Sequence, residues 1–89
     1  MQVREVAVVN RLGLHARACA KVVRIATRFR ANIVLTVSGR RASARSIIAV
    51  MMLAAAVGST VTIRVDGPDE AAAADAIVSL FEDGFGESG

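Results

Sequence analysis

The stretch Val6-Ala7-Val8-Val9-Asn10-Arg11-Leu12-Gly13-Leu14-His15-Ala16-Arg17-Ala18-Cys19 decides how the chain is to be read, because its periodicity changes in the middle. Met1 to Val9 is rich in valine and reads as a strand, with Val6 and Val8 on one face and Val3, Ala7 and Val9 on the other. Asn10 to Gly13 breaks it. From about Ala16 to Phe29 the apolar positions Cys19, Val22, Val23, Ala26 and Phe29 recur at helical steps and form an inner stripe. The only histidine, His15, stands where the strand has ended and the helix begins.

Working outward, Arg17, Lys21, Arg24 and Arg28 form a second stripe on the same helix, with no acid among them to pair with. Positive charge near a helix N-terminus opposes the macrodipole. A stripe kept in spite of that suits docking to an acidic protein surface, with Lys21 and Arg24 as candidates. Asn32 to Val37 alternates, Ser38-Gly39 marks a turn and Arg40 to Ala44 returns as a short charged strand, so the three form a hairpin. Ser46 is a good N-cap for a short apolar helix. That helix has no polar face, so Ile47, Ile48 and Met51 are expected to be partly exposed and to contact a partner. Thr60 to Asp66 alternates cleanly, and Asp66-Gly67-Pro68-Asp69-Glu70 opens a last helix that runs to about Asp83. Phe85 to Gly89 reads as a loose tail.

The order strand, helix, strand, strand, short helix, strand, helix, with strands apolar on one face, implies an α/β (α+β) open-faced sandwich. Its four-stranded antiparallel sheet is covered by three helices on one side. Residues 1–89 make one small domain.

Composition narrows the function classes. The chain carries 11 basic and 8 acidic residues, a net charge of +3. The positive charge gathers between Arg11 and Arg45, the acids from Asp66 onward. There is no Trp or Tyr, which argues against base-stacking nucleic-acid modules. Cys19 is single, so no internal disulfide forms, and it reads as a buried thiol rather than a nucleophile. The longest apolar run, Ile47 to Val57, is too short to span a bilayer. A cytoplasmic monomer with no membrane insertion is the expectation. No second histidine or carboxylate stands near His15 in sequence, and Cys19, four residues on, turns to the inner stripe, so neither a metal site nor a cofactor is expected.

The chemistry at His15 follows from its position. Imidazole is a nucleophile near neutral pH. The free amides of Ala16, Arg17 and Ala18 at a helix start would stabilise a phosphate dianion, and Arg17 would add a bidentate cationic clamp. A plain capping or packing histidine is the competing explanation.

Gly13-Leu14-His15-Ala16-Arg17 closely resembles the active-site signature of HPr, the histidine-containing phosphocarrier family of the bacterial sugar phosphotransferase system. Ser43-Ala44-Arg45-Ser46-Ile47, followed by Val50 to Ala55, resembles that family's regulatory-serine segment. Element order agrees over about residues 2 to 84. The resemblance implies that His15 accepts a phosphoryl group on Nδ1 from phosphorylated enzyme I and passes it to an enzyme IIA domain, and that Arg17 binds the phosphate. It also implies Ser46 as the target of HPr kinase/phosphorylase, and the basic and apolar helical faces as one docking surface. Ala18 and Cys19 stand where the family usually has Pro and then Ala, which adds an amide N–H to the helix start. A regulatory protein-binding module of nitrogen-related or catabolite-control type, switched at Ser46, is the alternative.

Overall fold

The structure is a computed structural model that describes residues 1–87. Its elements are β1 (Gln2–Ala7), α1 (Ala16–Ala26), β2 (Asn32–Val37), β3 (Arg40–Ser43), α2 (Ile47–Met52), β4 (Thr60–Asp66), α3 (Glu70–Glu82) and a closing 3-10 turn (Gly84–Gly86). The strands form one antiparallel sheet in the order β1-β4-β2-β3. The chain is thus an open-faced sandwich, with its helices on one face.

Alternation explains the sheet. Val61, Ile63 and Val65 of β4 and Ile33, Leu35 and Val37 of β2 point to the helices and are buried, while Thr60, Arg64 and Asp66 are exposed. In β1 it is the face of Val6, continued by Val8, that enters the core, and Val3 and Val9 are exposed. The hairpin turns through Ser38 and Gly39, both at positive φ (50° and 81°), the geometry whose twist matches the flanking strands. From the helices come Cys19, Val22, Val50, Ile77 and Phe81, all fully enclosed.

Two expectations need correction. Helix α1 stops at Ala26 rather than Phe29. Its last turn tightens: Arg28 N–H bonds Ile25 O and Phe29 N–H bonds Ala26 O, while the Thr27 hydroxyl donates to Arg24 O at 2.9 Å. Val23 and Phe29 are consequently half-buried, and Ala18 takes a place in the buried stripe. The second correction concerns the tail expected at 85–89. Phe85 is 1% exposed, with its ring 4.9 Å from that of Phe81 in an edge-to-face pair. The chain turns at Gly84, Phe85 and Gly86, all at positive φ, so that a large apolar ring folds back onto α3 instead of meeting water. Residues 88 and 89 of that expectation lie outside the described residues.

Candidate functional site: an imidazole at the open end of a helix

His15 is the N-cap residue of α1, with extended backbone (φ −75°, ψ 174°). Its side chain makes no capping hydrogen bond, which removes the plainest competing role. The first helical bond runs from Cys19 N–H to His15 O at 2.9 Å. The amides of Ala16, Arg17 and Ala18 therefore sit at the open end of the helix, where no intrahelical acceptor exists. The imidazole is half-buried, and Arg17 is exposed and without an ion-pair partner among the described residues.

The loop that delivers His15 is tightly specified. Gly13 has φ +65°, and a Cβ there would come within 2.4 Å of Ala55 O. Leu14 N–H donates to that same carbonyl at 2.9 Å, joining the pre-helix loop to the segment after α2. Asn10, 3% exposed, donates from Nδ2 to Gly13 O at 2.8 Å and ties off the loop from below.

A residue that the sequence reading missed completes the site. Glu87 Oε2 lies against Nε2 of His15, and its Oε1 accepts from Asn10 Nδ2 at 3.1 Å. The hydrogen bond with His15, followed by that from Asn10, holds the Glu87 carboxyl below its usual range, against the opposing effect of desolvation. A carboxylate at Nε2 requires that nitrogen to carry the proton, so in the neutral ring the lone pair is on Nδ1. Nothing in local sequence links residues 72 apart. The one available signal was Phe85 between two glycines, an aromatic too large to leave in a free tail.

The remaining candidates fall around this centre. Lys21 is half-buried, and its Nζ donates to Phe85 O, so it anchors the segment bearing Glu87 instead of standing free on the basic stripe. Arg24 is exposed. Cys19 is buried, with Sγ 3.4 Å from Leu14 O, and burial pushes its thiol pKa up. Ser46 caps α2, its Oγ accepting from Ala49 N–H at 3.2 Å. Helix α2 packs beside α1 and exposes Ile47, Ile48 and Met51 together with Met52, a residue not singled out from sequence; Leu12 in the loop before α1 is exposed as well. Ile48 is 74% exposed, an unusual place for so large an apolar side chain. Among the described residues no three His, Cys, Asp or Glu side chains gather, so they assemble no ligand set for a metal.

Fold and site together define a class: a small open-faced sandwich that presents one accessible imidazole at a helix N-terminus, framed by an arginine and an exposed apolar patch. The family model for the PTS HPr component phosphorylation site matches residues 2–83. Phosphocarrier protein HPr of Cupriavidus necator is 49% identical over 84 residues, 94% of each chain. Phosphocarrier protein NPr of Proteus mirabilis is 44% identical over 97% of each. The crystal structure of HPr-C-His from Thermoanaerobacter tengcongensis superposes with a TM-score of 0.94 at 34% identity, covering 99% of both chains. The chain belongs to the HPr family of phosphocarrier proteins of the phosphotransferase system.

Proposed function

We propose that the protein is a stoichiometric phosphoryl carrier without turnover of its own, taking the group onto His15 Nδ1 from phosphorylated enzyme I and passing it to enzyme IIA domains. The observation that carries this reading is the Glu87 carboxylate at Nε2, which leaves Nδ1 as the nucleophile. In the transfer, the Nδ1 lone pair forms the new N–P bond while the donor's bond to phosphorus breaks and its electron pair stays with the donor. The Nε2 proton remains on the ring, where Glu87 stabilises the positive charge that the imidazole gains. The amides of Ala16, Arg17 and Ala18 and the free guanidinium of Arg17 receive the phosphoryl oxygens. Phosphoryl transfer asks little more of a protein than positioning and charge.

Partners dock, in this reading, on the exposed face formed by Arg24, Ile47, Ile48 and Met51, with Lys21 contributing through the tail it holds. The reading carries with it a cytoplasmic location, which a single buried thiol suits. Incubation with enzyme I and phosphoenolpyruvate tests it: an acid-labile adduct of ~80 Da should form on the wild type and be absent from His15→Ala. An adduct that survives the substitution contradicts it.

Regulation at Ser46 is a second reading, favoured by the hydroxyl that caps α2 beside the apolar patch. A phosphate added there by HPr kinase/phosphorylase would place negative charge next to the docking face and repel acidic partners. Ser46→Asp should then weaken enzyme I docking, and unchanged affinity counts against the switch.

A further inference from the structure

The helices leave the other face of the sheet uncovered, and the phosphoryl relay does not use it. There the outward side chains of β2, β3 and β4 surround a concavity of about 450 Å3, within the range of small-molecule sites. Its floor is Val34, Thr36 and Thr62, and its sides are Arg41 and Arg64. Register explains the arrangement: Thr36 stands opposite both Arg41 and Thr62, and Val34 opposite Arg64. The two arginines thus flank β2 from either side, two strand spacings across and two residues along, roughly 12 Å apart at the backbone, within reach of a shared ligand.

Two features make this more than a solvated sheet face. Neither guanidinium has an ion-pair partner among the described residues, whereas Asp66 at one end lies 3.8 Å from the Met1 ammonium. Glu5 stands on the same face opposite Thr62, so the face is not uniformly basic, but the two guanidiniums on either side of Val34 and Thr36 are unpaired among the described residues. In addition, the Thr36 hydroxyl is buried and has no hydrogen-bond partner among the described residues, a state that buried polar groups rarely keep.

We propose that this face binds a small phosphate monoester. Guanidiniums from strands on opposite sides of β2, with the orphan Thr36 hydroxyl brought to the surface by a χ1 rotation, would present donors out of one plane. That arrangement fits a tetrahedral oxyanion better than a flat carboxylate. The volume admits a small molecule.

Titration of the 15N-labelled protein at fixed ionic strength with glycerol 3-phosphate, inorganic phosphate or acetate, read at the amides of Val34, Thr36, Arg41, Thr62 and Arg64, tests the site. Saturable shifts are expected with glycerol 3-phosphate, weaker ones with inorganic phosphate, and little response to acetate. Arg41→Lys with Arg64→Lys keeps the charge but loses the forks and should weaken binding about tenfold; Thr36→Val should weaken it by a similar factor. The lysine changes fall at exposed positions, and Thr36→Val is isosteric and removes an unpaired hydroxyl, so folding is retained. Shifts that fail to saturate, that persist in the double variant, or that acetate reproduces with equal affinity overturn the proposal. So do shifts that appear on concentrating the protein without ligand, which would assign the face to a second copy of the chain.

Discussion

Glu87 is the residue on which the site turns. Glu87→Gln keeps the shape and removes the charge that stabilises the imidazole as it gains a phosphoryl group, so the rate of phosphorylation should fall roughly tenfold. Quench-flow with phosphorylated enzyme I checks this, and an unchanged rate would reduce Glu87 to a packing role. The same contact has a signature in stability. The Glu87 carboxyl lies below its ordinary value of 4.5, chiefly through its bond with His15. Its contribution is thus present above that value and is lost as pH falls through the lower folded value. Thermal unfolding of wild type and Glu87→Gln should differ near neutrality and converge only once the pH has fallen through the lowered folded-state value. At this scale the histidine and its arginine were legible in five consecutive residues. Their carboxylate partner was not, because it is brought there by the fold of the distant tail.

Among the elements, the loop before α1 and the cap of α2 hold the site to the scaffold. Gly13→Ala meets both a left-handed backbone and the Ala55 carbonyl, so it should cost more than ~1 kcal/mol in chemical denaturation and slow phosphorylation as His15 shifts. Ser46→Ala removes only the cap bond and should cost about 1 kcal/mol while leaving phosphorylation of His15 intact. Alternation and turn residues made β2, β4, the hairpin and the start of α2 readable from sequence. The end of α1 was not, since apolar spacing continued to Phe29 while the backbone had already tightened at Thr27. The spacing of Lys21 put it on the basic stripe, but spacing alone could not show that its ammonium turns to the Phe85 carbonyl.

For the molecule as a whole, the site depends on a closing segment that packs like core. Phe85→Ala should destabilise the fold by about 3 kcal/mol and, by releasing Glu87, slow phosphorylation as much as Glu87→Gln does. Denaturation and the same kinetics check both effects. The architecture followed from element order together with one-sided strands, and α2 lacked a polar face because its outer surface remains exposed beside α1. What order and pattern could not supply was the return of the chain end to its own first helix.

In this mechanism Nδ1 of His15 is the atom that carries the phosphoryl group. Long-range 1H–15N NMR of the imidazole, before and after phosphorylation by enzyme I and phosphoenolpyruvate, tests this most directly. A proton on Nε2 in the free neutral ring and phosphorus bonded to Nδ1 in the product are expected. A phosphoryl group on Nε2, or a free ring protonated at Nδ1 alone, would contradict it.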